Sequence, residues 1–404
     1  MTGIAPSMAH MGSRATPIRA AIVGTGFAGA AHVDALSRLR HVDLIGVLAS
    51  TPERSRDAAE RLHTARAFAS LAQVLDDDDL DVIHNCTPNV LHAEVTTAAL
   101  AAGKHVLSEK PLAMDSAETS ALVSAASSAD VVTGVCFNYR HFPLVQQIRA
   151  ELGSGAYGAV HLVRGAYLQD WLLFADDWNW RLESERAGST RAVGDIGSHW
   201  LDLAQHVTGD GVVAVMAQLG RVHDERVRPS AEAETFRRGE GPTERVPVDT
   251  EDFANVLLRF RSGARGVLTV SQVTAGAKNR LTIGVDAATA SFEWNQEKPN
   301  TLRVGRRDGA SLEVPRDPGT LAPPAAALAH LPGGHQEGWA DALRNLFEDF
   351  YAAVSAHRDG RTHHGTFATF EDADGVTRLV EAIAESDREQ RWIEVQKERQ
   401  GAST

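Results

Sequence analysis

Two short stretches carry the side chains for chemistry on a hydroxyl or carbonyl group. In His105-Val106-Leu107-Ser108-Glu109-Lys110-Pro111 a charged pair follows an apolar run directly. One reading is a surface salt bridge. At the carboxyl end of a parallel strand, however, a lysine faces the ligand crevice, where it can hold a hydroxyl and stabilise developing alkoxide charge. In Gly194-Asp195-Ile196-Gly197-Ser198-His199 an aspartate and a histidine stand four residues apart. On one helical face they make a carboxylate–imidazole pair able to act as general base. The alternative is a capping aspartate and a buried histidine. Zinc at His199, Asp202 and His206 is disfavoured. The two histidines are about two turns apart and no further ligand set accompanies them, so no metal is expected.

Such a pair needs a partner for the electrons, and the N-terminal stretch offers one. Ala20 to Val23 reads as a buried strand, Gly24-Thr25-Gly26-Phe27-Ala28-Gly29 follows, and an alanine-rich helix comes next. Gly24 permits the turn, Gly26 admits a pyrophosphate to the backbone, and Gly29 lets helix and strand pack closely. The pyrophosphate would rest on the free N–H groups of the helix start. After the second strand, Val42 to Ala49, an NAD-selective site calls for an acid. Ser50, Thr51 and Arg54 stand there instead and favour NADP(H) over NAD(H). The exit of the third strand, Thr87-Pro88-Asn89, with His92 one turn later, belongs to the same crevice, and Asn89 doubles as a helix N-cap. The strand Val131 to Phe137 delivers Asn138, Tyr139 and Arg140 to the same edge: Asn138 for the cofactor, Tyr139 and Arg140 for substrate.

The chain has 404 residues, 43% hydrophobic and 23% charged, with a net charge of −13. That is enough for two domains, and the charge gives a nucleic-acid role no support. No apolar run reaches membrane-spanning length. Residues 1–17 are small, polar and unpatterned, without an apolar signal core, and read as a disordered lead-in. Cys86 and Cys136 sit in apolar runs, so buried free thiols in a reducing cytoplasm are expected. The elements form an α/β chain. A Rossmann dinucleotide-binding domain spans residues 18–140. An α/β domain with an open, mainly antiparallel sheet spans 141–395, its strands drawn from Val160–Tyr167, Val212–Gly220, Asp252–Arg261, Ala264–Thr274, Leu281–Val285 and Ala288–Trp294. Residues 222–250 read as a charged excursion and 308–329 as irregular. A helix is expected from Leu331 to about Ala356. Trp171, Trp178 and Trp180 lie in one polar loop, suited either to stacking on sugar C–H faces or to loop packing.

The glycine turn, Thr87-Pro88-Asn89 and Glu109-Lys110-Pro111-Leu112-Ala113, in this order and spacing, resemble the Gfo/Idh/MocA oxidoreductases, the relatives of glucose–fructose oxidoreductase and inositol dehydrogenase. The resemblance covers nearly the whole chain. It implies Lys110 as active-site lysine, Glu109 beside the cofactor, and a cis bond before Pro111. Asp195 and His199 match a DxGxH-type motif as substrate-binding aspartate and catalytic histidine. Trp180-Arg181 resembles a pair that reaches the nicotinamide end. Ser50-Thr51-Pro52-Glu53-Arg54 is similar to NADP-dependent reductases, and His335-Gln336-Glu337-Gly338 to a substrate-binding stretch. Ser189-Thr190-Arg191 departs from a common glycine run. The implied reaction is hydride transfer between NAD(P) and a secondary alcohol of a sugar, glycoside or cyclitol, by a homo-oligomer (dimer or tetramer). A glycosidase using NAD for transient oxidation and a non-enzymatic NADP-sensing regulator are the rival readings. Lys110→Ala is expected to abolish turnover and leave NADP binding largely intact, checked by steady-state kinetics beside cofactor fluorescence titration.

Overall fold

The computed structural model describes residues 17–230 and 241–395, so the expected lead-in lies outside the described residues except for Pro17. The first half runs β1 (Ile18–Val23), α1 (Phe27–Ser37), β2 (Val42–Leu48), α2 (Pro52–Arg61), α3 (Leu71–Leu75), β3 (Val82–Asn85), α4 (His92–Ala101), β4 (His105–Ser108), α5 (Ser116–Ser128) and β5 (Thr133–Val135). Its five strands are parallel, in the order β2-β1-β3-β4-β5. Strands buried along most of their length suit a sheet covered by helices on both faces. The winding reverses between β1 and β3, so the crevice opens at their carboxyl ends, beside Gly24 and Thr87.

The three glycines there have distinct reasons. Gly24 has φ +98°, and a Cβ would meet the Cys86 carbonyl oxygen at 2.2 Å. At Gly29 a Cβ would lie 2.0 Å from the Gly24 carbonyl oxygen, while at Gly26 nothing lies within 4 Å. Turn, packing and ligand approach are thus separated residue by residue.

The second half contains α6 (Pro143–Gly153), β6 (Val160–Leu168), α7 (Ser184–Ala187), a π-helical turn (Val193–Gly197) and α8 (Ser198–Thr208). Then come β7 (Val212–Gly220), β8 (Glu225–Pro229), β9 (Thr243–Pro247), β10 (Phe253–Phe260), β11 (Arg265–Ser271), β12 (Arg280–Ala287), β13 (Ala290–Asn295), β14 (Thr301–Arg306) and β15 (Leu312–Pro315). The described chain closes with α9 (Pro323–Ala326), α10 (Trp339–Arg358), α11 (Phe370–Glu389) and β16 (Ile393–Glu394). Nine strands form one sheet in the order β15-β14-β13-β12-β6-β11-β10-β7-β16. Its pairs are antiparallel except β6 with β11. One face carries the α-helical core around Trp200, Leu268 and Phe292.

Several boundaries differ from the sequence reading. The stretch 308–329 is not wholly irregular, because β15 extends the sheet edge and α9 makes a turn of helix. The helix expected from Leu331 starts at Trp339: Gly334 has φ +85° and the N-cap Gly338 is extended, so helix cannot run through them. The excursion at 222–250 holds the β8–β9 hairpin, with 231–240 outside the described residues. Asn89 does not cap α4; it lies in a 3-10 turn, and Leu91 holds the cap position without a side-chain bond. The cores also do not divide at residue 140. Leu343, Phe347, Phe350 and Tyr351 of α10 pack in one cluster with Ile22, Val82 and Leu107 of the first sheet. Among the described residues no helix is long and apolar enough to cross a membrane.

Gly29→Ala forces α1 off β1. Overpacking of this kind costs about 1–3 kcal/mol, so a lower Tm together with weakened dinucleotide binding is the expected result in thermal denaturation with and without cofactor.

Candidate active site

Glu109 and Lys110 leave the carboxyl end of β4, and the Lys110–Pro111 bond is cis. Lys110 Nζ crosses to the second half. It donates to Asp195 Oδ1 at 2.7 Å and to the Asp195 carbonyl at 2.8 Å. Arg181 Nε lies 3.4 Å from the same Oδ1, and Gln272 Nε2 donates to Oδ2 at 2.9 Å. Burial alone would push the Asp195 carboxyl up. Lys110 and Arg181 outweigh it and hold the group well below the usual carboxylate range. The carboxylate is therefore an ionised anchor with its oxygens occupied.

His199 sits on the first turn of α8. Its ring stands edge-to-face with Tyr139, centroids 5.0 Å apart, and with Phe137 at 5.7 Å. Its Nδ1 is buried without a partner, and among the described residues the imidazole makes no hydrogen bond. Burial first, and then the Lys110 charge, lower its pKa to about 3, so the ring is neutral at ordinary pH. The expected carboxylate–imidazole hydrogen bond is absent. The π-helical turn interrupts the α-helical spacing, and Lys110, Arg181 and Gln272 partner both oxygens of Asp195 in place of His199.

The loop before this turn is held by two adjacent carboxylates that sequence reasoning passed over. Glu251 Oε1 accepts the N–H groups of Arg191 at 3.0 Å and Val193 at 2.8 Å. Asp252 pairs with Arg191 and, at 2.7 Å, with Arg226, all three buried. Arg191 thus becomes a structural cation. Gln272 was missed as well. The only signal was position: acids just before β10, and an amide just past the end of β11.

The other predicted residues divide. Tyr139 is buried, its hydroxyl 2.7 Å from that of Tyr167 and accepting from Asn279 at 3.2 Å, so it backs His199 instead of opening to ligand. Arg140 is likewise buried, with its guanidinium held by Asp202 at 2.8 Å and Asp372 at 3.0 Å. His335 is exposed on a separate turn, where its carbonyl accepts from Arg316 at 2.6 Å; no contact joins it to Lys110, Asp195 or His199 among the described residues. Trp171 and Trp178 pack against Leu172, Leu182 and Val248, which is loop packing. The guanidinium of Arg181 lies 4.5 Å over the Trp180 ring. His206 contacts Gln146 and Arg149, so the rejected zinc set is dispersed. One other grouping, His32, Glu109 and Cys136, has potential ligand atoms within 4.8 Å of one another.

The dinucleotide crevice fits its ligand. Above Gly26 a Cβ would meet nothing, and α1 begins there with no side-chain cap and no acid in its first turn. Phe27 and Ala28 open that helix, and Arg61 donates to the Thr25 carbonyl at 3.2 Å. Asn138 Nδ2 is buried at the β5 end with no partner, a donor awaiting an acceptor. Asn89 donates to the Ala187 carbonyl at 3.0 Å, tying the rim of the crevice to the second half. The His92 nitrogens lie 2.5 Å and 2.7 Å from the carbonyls of Pro111 and Thr87, bracing Pro88 and the Lys110 loop together. At the β2 end Thr51 caps α2, and Arg54 Nη1 donates to Ser50 Oγ at 3.2 Å, all three exposed.

A glycine-lined Rossmann crevice closed by a lysine–aspartate contact from a second sheet defines an NAD(P)-dependent oxidoreductase. Residues 18–137 match the oxidoreductase family with an NAD-binding Rossmann fold, and residues 145–291 match the GFO/IDH/MocA C-terminal domain. The chain belongs to the Gfo/Idh/MocA family. Levoglucosan dehydrogenase of Pseudarthrobacter phenanthrenivorans is 32% identical over 389 residues, covering 93% of this chain and 97% of that one. A solved levoglucosan dehydrogenase with NADH and L-sorbose superposes with TM-score 0.85 at 28% identity, over 95% of this chain and 100% of that chain. An inositol dehydrogenase homolog from Azotobacter vinelandii with NAD+ gives 0.83 at 26%, over 94% and 98%.

Glu251→Ala removes the acceptor that fixes the Asp195 turn, whereas Glu251→Gln keeps one carbonyl oxygen there. Loss of buried hydrogen bonds to a charged group costs about 1.5–3 kcal/mol each. The alanine variant is therefore expected to lose at least tenfold in kcat/KM, about 1.4 kcal/mol, and the glutamine variant to retain most of it.

Proposed function

We propose that the protein transfers hydride between a nicotinamide dinucleotide and a secondary alcohol or ketone of a sugar, glycoside or cyclitol. The observation that carries this is the meeting of Lys110 from one half with Asp195 from the other, beside a neutral His199. When bound, the nicotinamide supplies the hydride acceptor or donor. The Lys110 ammonium holds the reacting oxygen and disperses its negative charge as the C–H bond breaks. His199 takes the hydroxyl proton in oxidation and returns it in reduction. In the free site it is a weak base because burial and Lys110 oppose its protonation, so polarisation of the hydroxyl by Lys110 has to accompany the transfer. Asp195 binds a neighbouring hydroxyl and, with Arg181 and Gln272, sets the position of Lys110. Ionised Lys110 and Arg181 balance Asp195 and Glu109, which suits an uncharged polyol better than a phosphorylated one. The relatives named for levoglucosan and inositol support this substrate class.

At the adenosine end we propose a preference for NADP(H). The support is local: exposed Ser50, Thr51 and Arg54 follow β2, where NAD selectivity calls for a carboxylate on the 2′-hydroxyl. The solved neighbours named above carry NADH or NAD+, so direct comparison is needed. A homo-oligomer joined through the open sheet face is the matching proposal for assembly. It is supported by exposed Leu257 and Val267, directly opposite each other on β10 and β11.

A panel of anhydrosugars, pyranoses, glycosides and cyclitols, followed by nicotinamide absorbance with NAD and NADP side by side, tests the reading. Net reduction of cofactor with an oxidised sugar product is expected, and Arg54→Ala should lower kcat/KM with NADP by about tenfold while sparing NAD. Glycoside cleavage without net cofactor change would replace the dehydrogenase with the glycosidase reading.

A further inference from the structure

Behind Glu109 lies a row of buried polar side chains that the hydride-transfer scheme leaves unused. His32 Nε2 is 3.1 Å from Glu109 Oε1, His32 Nδ1 is 2.9 Å from His84 Nδ1, and His84 Nε2 is 2.7 Å from the Tyr351 hydroxyl. His32, His84 and Tyr351 are fully buried, in α1, β3 and α10 respectively. Glu109 Oε2 accepts the N–H of Lys110 at 3.1 Å, so the row ends on the active-site lysine.

Donor and acceptor accounting gives the row a direction. An ionised carboxylate only accepts, so His32 must carry its proton on Nε2. A neutral His32 then presents a lone pair at Nδ1, and His84 must donate from its own Nδ1. His84 Nε2 is left as an acceptor, which the tyrosine hydroxyl fills. Every group of the row then has a partner, His32 Nδ1 lying also 3.3 Å from Cys86 Sγ, with no charge in the row except the carboxylate itself. Burial favours this state: it keeps His84 neutral and keeps the Tyr351 phenol protonated.

We propose that Tyr351, His84 and His32 form a one-way hydrogen-bond line that fixes the Glu109 carboxylate, ionised and aimed, beside Lys110, and that all three are positioning residues of the active site. The inference rests on the hydride-transfer reading. Burial would raise the Glu109 pKa, but the His32 hydrogen bond, with the Lys110 charge and N–H beside it, holds the carboxyl below its usual range. The groups facing it are His32 from α1, Cys86 after β3, His92 from α4, Lys110 beside it, Cys136 after β5 and His199 from α8. Its negative charge opposes that of Lys110 at His199, so a protonated Glu109 would leave the imidazole a still weaker base. The hydroxyl that starts the line comes from α10, a helix contributed by the second half of the chain.

The same atoms invite a metal reading, since Cys136 Sγ lies 3.6 Å from His32 Nε2. The proton required on Nε2 decides between the two. Histidine 15N NMR on the full-length protein is expected to show His84 as the Nδ1–H tautomer and His32 as the Nε2–H tautomer, and the opposite tautomers would overturn the line. His84→Leu removes the donor to His32. The acid limb of kcat/KM should then move up by about one pH unit, with dinucleotide Kd unchanged within about twofold. His84→Asn places an amide N–H near the lost Nδ1–H and should restore the limb, and Tyr351→Phe should give a smaller shift of the same sign. Equal losses in the leucine and asparagine variants with an unmoved pH profile would reduce the residues to packing. A thiolate-to-cobalt absorption band, lost in Cys136→Ser, would replace the line with a metal site. Absence of turnover on every sugar would sink the hydride-transfer reading alone, because the tautomer measurement needs no substrate.

Discussion

The contact between Lys110 and Asp195 is the constraint on which the rest of the molecule depends. A lysine at the end of a parallel strand and an aspartate on a π-helical turn come from the two halves of the chain. A buried ion pair is costly unless its remaining hydrogen-bonding capacity is met. Here Arg181 and Gln272 meet it on the aspartate, and the Asp195 carbonyl takes a second proton of the ammonium. Relative placement of the two halves is thereby tied to the protonation of two groups at the point of reaction.

A second tier of buried carboxylates keeps that contact in register. Glu251 and Asp252 lie just before β10, and their oxygens face the loop before the Asp195 turn, where they collect backbone N–H groups and two guanidinium groups. The approach to this interior strand thus supplies the template for the turn. His199 is treated in the opposite way: aromatic rings enclose it and, among the described residues, no polar partner restrains it. Restraint on the aspartate and freedom on the imidazole match a fixed anchor beside a group that has to exchange a proton.

Much of this was legible in the residues, and for identifiable reasons. The glycine turn was readable because each glycine answers a separate steric demand, and the structure separates those demands as expected. Lys110 and Asp195 were readable because a charge placed directly after an apolar strand or inside a glycine turn is costly unless a ligand or an opposite charge meets it there. Arg140 misled because strand-end position alone does not reveal direction; its partners, Asp202 and Asp372, lie 62 and 232 residues away in sequence. His335 misled because a glycine-rich turn followed by a helix looks the same whether it borders a site or not. Gln272, Glu251 and the His32–His84–Tyr351 row were illegible because pairings across long sequence separations leave no periodic trace.

The packing of α10 against the first sheet has a consequence for how the protein is made. Phe347, Phe350 and Tyr351 complete a core whose other members lie near the beginning of the chain. During synthesis the dinucleotide-binding half therefore leaves the ribosome with part of one sheet face, beside α1, uncovered, and it stays so for roughly two hundred further residues. Non-local closure of this kind is slow and leaves apolar surface open to wrong partners in the interval. A chain interrupted before residue 339 would carry every glycine of the nucleotide crevice and still lack the wall behind it, which makes such fragments natural clients for chaperones.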